Sequence, residues 1–121
     1  MNDDFAPFEL AVKLKEKGFR ERVKGYYKDS KVLSVCNTPM NSNALDNEFS
    51  APTISQVLKW LRKEKKIHIE VMFIGPTPNR VKYYITNIGG GRSFMDVADE
   101  HYENYEQAAL AGIEYTLDNL I

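Results

Sequence analysis

Apolar residues recur along this chain with two periods, and the switches between them divide it into elements. Phe8, Leu10, Ala11 and Leu14 form one stripe at helical spacing, with Glu9, Lys13, Glu16 and Lys17 lying off it. Pro7 suits the first turn, where its missing N–H costs nothing. Gly18 followed by Phe19 reads as a Schellman stop, the glycine taking the left-handed position and Phe19 folding back on Leu14. The spacing predicts a helix over residues 7–17.

Two β-type runs follow, Arg22–Lys28 and Lys31–Cys36, rich in Tyr26, Tyr27, Val32, Leu33 and Val35. Asp29-Ser30 between them predicts a hairpin, with a turn chemistry that leaves the register open. Residues 37–50 have no periodicity and hold four asparagines, so this stretch reads as a long loop, either a connector or a partner-contacting segment. Thr53 and Gln56 then make a capping box, with Pro52 and Val57 placed for a hydrophobic staple. Ile54, Val57, Leu58 and Leu61 form the apolar face of a second helix, and Trp60 lies to one side of that stripe.

Within a few residues the period drops to two. Ile67, Ile69, Val71 and Phe73 alternate with His68, Glu70 and Met72; Val81, Tyr83 and Ile85 alternate with Lys82, Tyr84 and Thr86. These read as antiparallel strands joined by the turn at residues 75–79. Gly89-Gly90-Gly91 ends the second strand, and residues 93–97 form a short further one. Asn104 as N-cap with Gln107 three residues on opens a last helix, whose face is Tyr105, Ala108, Ala109, Ile113, Leu117 and Leu120. Ala108, Ala109 and Gly112 are small enough to let that helix approach a sheet closely. The expected fold is a single α+β domain over residues 1–121, in the order α-β-β-α-β-β-(β)-α, with an antiparallel sheet packed against helices.

Composition changes this picture little. At 121 residues and 43% hydrophobic, the chain can bury a core without metal or disulfide support, and Cys36 is its single cysteine. A lone thiol fits a reducing compartment and reads as a small buried residue rather than a nucleophile. No apolar run approaches the roughly 20 residues that cross a bilayer. The acidic start, Met1-Asn2-Asp3-Asp4, lacks the features of a secretory signal. The expected location is cytoplasmic.

Charge changes it more. All 16 Lys and Arg residues lie at or before Arg92, against ten acids there, a local net of +6; from Ser93 onward there are seven acids and no cation. Two readings compete: the halves neutralise each other, or the basic part meets an acidic partner. The densest basic segment is Lys59–Lys66, with Lys59, Arg62, Lys63, Lys65 and Lys66 against Glu64. The helix dipole favours cations at such an end without any ligand.

No constellation names a reaction. Cys36 with His68 or His101 has no spacing that brings the groups together. Asp96, Asp99, Glu100, His101 and Glu103 lack the glycine and spacing of an EF-hand and any zinc-type pair, so they read as a solvated acidic stretch. Gly89-Gly90-Gly91-Arg92-Ser93 lacks the Lys-Ser/Thr of a phosphate loop and the helix that would follow it. No catalytic residue, cofactor or metal is expected.

Three stretches carry a familiar pattern: Phe8-Glu9-Leu10-Ala11 with Lys17-Gly18-Phe19, the run from Ala51 to Arg62 into Ile67-His68-Ile69, and Tyr105 to Ile113. Together they resemble a family of small proteins encoded by phages, prophages and mobile elements of anaerobic gut bacteria. The resemblance covers most of the chain outside residues 37–50. It implies an accessory protein acting in a bacterial cytoplasm and supplies no activity, cofactor or catalytic residue.

Two kinds of binding remain. The first is to a protein partner or a second copy, with Trp60 either an interface anchor flanked by Lys59, Arg62 and Lys63 or the closing edge of the core. The second is to nucleic acid, through Lys59, Arg62, Lys63 and Lys66 with an outward tyrosine such as Tyr84 for base stacking. No membrane or small-molecule partner is implied.

Overall fold

Helix α1 (Phe8–Glu16) stops where Gly18 adopts φ +87°. The Gly18 N–H donates to the Lys15 carbonyl at 3.2 Å and the Phe19 N–H to the Leu14 carbonyl at 3.0 Å, the paired bonds of a Schellman motif. Phe19 and Leu14 are both fully buried, as the hydrophobic contact of that motif requires. Pro7 lies one residue outside the helix, as its N-cap, rather than in the first turn.

The computed structural model describes residues 5–28, 30–76, 80–88, 92–94 and 102–121. It is an α+β chain in the expected order, with one strand more than the pattern predicted. After α1 come β1 (Val23–Lys28), β2 (Leu33–Met40), a 3-10 turn (Ser42–Ala44), β3 (Glu48–Ala51) and α2 (Ile54–Glu64). β4 (Ile67–Phe73), β5 (Val81–Asn87), β6 (Arg92–Phe94) and α3 (Tyr105–Asn119) follow. The strands form two antiparallel three-stranded sheets, ordered β2-β1-β3 and β4-β5-β6. The chain gathers into two compact units, Met1–Gln56 and Val57–Ile121.

In the first unit β1 is central and alternates cleanly, Val23, Gly25 and Tyr27 inward and Lys24 and Lys28 outward. The Tyr27 ring meets Phe8 edge-on at 5.4 Å, and Phe8 meets Phe49 of β3 at 5.6 Å, so α1 covers this face. The Tyr27 hydroxyl donates to the Ala6 carbonyl at 2.8 Å. Burial pushes that phenol above its ordinary range, and the nearby Glu9 charge adds to the effect. Gly25 has no room for a side chain, since a Cβ there would lie 2.6 Å from the Ala51 carbonyl oxygen.

The expected long loop at 37–50 is corrected. β2 runs on through Met40 and β3 begins at Glu48, leaving only residues 41–47 as a connection. Three side chains hold it, one of them Ser50, whose Oγ accepts from the Asn43 N–H at 3.2 Å. Asn43 donates from Nδ2 to the Phe19 carbonyl at 2.8 Å, and its Oδ1 accepts from the Ser50 N–H at 2.8 Å. Lys15 donates from Nζ to the carbonyls of Leu45 and Glu48, each at 2.7 Å, with the Phe49 ring 4.7 Å away. An asparagine and a lysine thus satisfy backbone groups that a loop without a ladder leaves open.

In the second unit, β4 and β5 pair in unbroken register from Ile67↔Asn87 to Phe73↔Val81, and β6 adds to β5 through Ile85↔Phe94. Ile67, Ile69, Val81, Tyr83 and Ile85 are buried. Helix α3 lies against them through Ala108, Ala109, Gly112, Ile113 and Leu117. A Cβ on Gly112 would come within 2.9 Å of Ile69 Cγ2, so glycine sets the approach distance. The Asn104 side chain accepts from the Gln107 N–H at 2.9 Å, as its N-cap role demands. The Thr116 hydroxyl, fully buried, donates back to the Gly112 carbonyl at 2.8 Å.

Several expectations lie outside the described residues: Asp29 of the first hairpin, residues 77–79 of the second turn, Gly89–Gly91, the strand beyond Phe94, and Asp96, Asp99, Glu100 and His101.

Candidate functional site

Helix α2 opens on the expected capping box: the Thr53 N–H donates to Gln56 Oε1 at 2.8 Å and the Gln56 N–H to Thr53 Oγ1 at 3.2 Å. That start fixes the phase of everything after it. Ile54, Val57, Leu58 and Leu61 are buried, and so is Trp60, at 4% exposure. Of the two roles expected of Trp60, its burial fits the closing edge of the core and not an exposed interface anchor. Its ring belongs to the buried side of the helix, with the Lys65 ammonium 5.4 Å from the ring centre at the margin.

The cations fall opposite. Lys59, Arg62 and Lys63 stand at i, i+3 and i+4 on one stripe, and all three are exposed. Lys66, also exposed, follows the helix with φ +58°, the only non-glycine in the left-handed region among the described residues. A helix C-terminus favours glycine there, so a lysine costs about 1 kcal/mol of backbone strain. Like charges at i, i+4 cost a few tenths of a kcal/mol more, which the helix dipole offsets in part. Among the described residues no ion pair reaches these four side chains. The acidic side chains described on α3, Glu106, Glu114 and Asp118, are themselves exposed, so the basic stripe is not buried beneath them.

Tyr84 belongs to another surface. It stands opposite Glu70 in the β4–β5 ladder, between the pairs His68↔Thr86 and Met72↔Lys82. This is the sheet face turned away from α3, and its side chains are half-buried or exposed. In each tyrosine pair one ring is buried, Tyr27 and Tyr83, and its neighbour, Tyr26 or Tyr84, is half-buried on the opposite face. Tyr84 as a stacking platform thus has a face to act from, with a carboxylate directly across the ladder.

A third surface was not legible in the sequence. β2 is an edge strand whose outer side has no partner strand among the described residues. Val35 is 57% exposed, Met40 49% and Leu33 36%, and Val32, just before the strand, is 71% exposed. The sequence marks this run as a strand and says nothing of its burial; the exposure of these side chains depends on α1 covering β1 and β3 and not reaching β2. Cys36, expected to be buried, is half-buried on this edge. Between Val23↔Met40 and Gly25↔Val35 the register shifts, so five steps of β2 span two of β1. Pro39, which lacks an N–H, falls in that bulge, as edge-strand prolines do.

Among the described residues no group of three or more His, Cys, Asp or Glu side chains is placed to share a metal ion. Of the acidic stretch before α3, only Glu103 is described. Cys36 and His68 belong to different units, and His101 lies outside the described residues. No described helix is long and apolar enough to cross a membrane. Comparisons with protein-family models, curated proteins and solved structures give no match.

Proposed function

We propose that this chain is a non-enzymatic binding protein that docks a protein partner along the outer edge of β2. The observation that carries the reading is the set of exposed apolar side chains on an unpaired edge, Leu33, Val35 and Met40 of β2, with Val32 just before it. Folded proteins guard such edges with lysines, prolines or covering segments, because free N–H and C=O groups recruit any extended chain. Here residues 32–36 carry no charge, and among the described residues the guard is the bulge that follows, with Pro39 in it. Strand addition uses main-chain bonds for affinity and alternate side chains for selectivity, and β2 presents both. The phage-like accessory role and the cytoplasmic setting rest on the resemblance of the sequence. The test is a capture experiment with the wild-type chain and the Val35→Lys variant as baits. A partner held by the first and lost by the second supports the reading; equal capture by both removes β2 from it.

A second reading is favoured by the exposure of Lys59, Arg62, Lys63 and Lys66 together: a polyanion site for single-stranded nucleic acid, with no cofactor. Four phosphate contacts predict a salt slope near −3, so affinity should fall about 50-fold between 50 and 200 mM salt. The combined Arg62→Ala, Lys63→Ala and Lys66→Ala variant should lose that binding. Fluorescence anisotropy with a labelled oligonucleotide measures both, and an unchanged variant sinks the assignment.

A further inference from the structure

We infer that the partner of the β2 edge is β2 of a second copy, paired antiparallel about a twofold axis at Ser34, so that two three-stranded sheets join into one of six strands. The inference rests on reading β2 as the docking edge and adds the identity of what docks there.

The register within one chain determines which side chains face which way. Tyr27 pairs with Leu33, Tyr26 with Ser34 and Gly25 with Val35. Directly paired residues share a face. Leu33 and Val35 therefore lie on the side of Tyr27, the side α1 covers through Phe8. The apolar face of the sheet runs one strand further than the helix above it, and both side chains remain open to water.

Self-pairing completes that face in one register only. Centred on Ser34, it sets Leu33 opposite the second copy's Val35 and Val35 opposite its Leu33. Ser34 meets its own equivalent, and Val32 meets Cys36. A shift to Leu33 as centre puts Val35 against Lys31, and a shift to Val35 puts Leu33 against Asn37. An isologous contact repeats every side chain on both sides of the axis, so a fixed charge close to the axis would lie near its own copy and repel it. Residues 32–40 contain none. Lys31, at the margin, has its ammonium 4.0 Å from the Glu9 carboxylate and 5.8 Å from the Phe8 ring centre, on its own chain.

The bulge fixes the extent. Pairing ends at Cys36, because beyond it β2 departs from its register with β1 and Pro39 has no N–H to give. The exposed parts of Val32, Leu33 and Val35 amount to roughly 300 Å² per copy, short of the ~800 Å² per partner of a standard interface. The dimer is accordingly reversible, forming at micromolar concentration or above.

Sedimentation equilibrium of the full chain, from low micromolar to several hundred micromolar, reads this directly. The weight-average mass should rise from 13.9 kDa toward twice that value. Val35→Lys should raise the dissociation constant at least about tenfold, since it sets an ammonium against Leu33 of the second copy; its thermal midpoint should stay near wild type, because the native side chain is already largely in water. A Ser34→Cys, Cys36→Ser variant should form an interchain disulfide with oxidised glutathione, since directly opposed strand residues lie about 4.5–5.5 Å apart at Cα. A Lys28→Cys, Cys36→Ser variant, which keeps Ser34, should not. A mass that stays at one chain throughout overturns the inference, as does a dimer that Val35→Lys leaves intact. A monomeric wild type that still loses a captured protein on Val35→Lys overturns self-pairing alone and leaves the docking edge standing.

Discussion

Lys66 occupies a backbone position that glycine or asparagine fills at most helix ends, with φ +58° and its carbonyl accepting from the Ile88 N–H at 2.7 Å. The strain is local and separable from the charge. Lys66→Gly should raise unfolding free energy by up to about 1 kcal/mol in urea denaturation, because the strained φ costs glycine nothing. Any oligonucleotide affinity should fall in the same variant. A destabilised protein would show that contacts of the lysine stem outweigh the backbone term. Tyr27 gives a second test at this scale. Its folded-state pKa is raised, so the folded state holds the phenol proton more tightly, and stability present below pH 10 is lost as pH rises above it. Tyr27→Phe should lose about 1 kcal/mol at neutral pH with the bond to Ala6, and should flatten the alkaline decline. A decline that persists unaltered assigns it to other groups.

At the scale of elements, what could be read from the sequence was what neighbours along the chain decide. The Schellman stop at Gly18, the capping box at Thr53 and the cap at Asn104 each need only residues within a turn, and all three formed as expected. The strands β4 and β5 were legible because their alternation is regular. β3 was not, since Glu-Phe-Ser-Ala has no alternation of its own and its order comes from pairing with β1, Gly25↔Ala51 to Lys28↔Glu48. The candidate site divided the same way. The cationic stripe follows from helical spacing, whereas the exposure of β2 depends on how far α1 reaches, and Trp60 at the margin of its stripe could face either way until packing placed it. Asn43 is the residue that turned an expected loop into structure. Asn43→Ala should cost roughly 2–3 kcal/mol, since it strips the Ser50 N–H of its acceptor beside a fully buried serine. Hydrogen exchange at residues 41–50 should quicken with it; an unchanged midpoint and exchange pattern would return the segment to the status of a loose connector.

For the whole molecule, the charge division between the basic and acidic parts does not resolve into mutual burial: the basic stripe on α2 and the described acids on α3 both face water. Both binding readings therefore keep a surface to act from, on different elements. No linker was found in the sequence, and the boundary between the two compact units explains why, for it falls at Gln56–Val57, inside α2. The helix that carries the basic stripe begins in one unit and ends in the other. Cutting the chain between Gln56 and Val57 therefore parts a cap from the helix it caps. The first fragment keeps Thr53 and Gln56 with almost no helix after them, and the second starts in mid-turn with its first N–H groups bare. A fragment meant to carry α2 intact has to be cut outside residues 53–66.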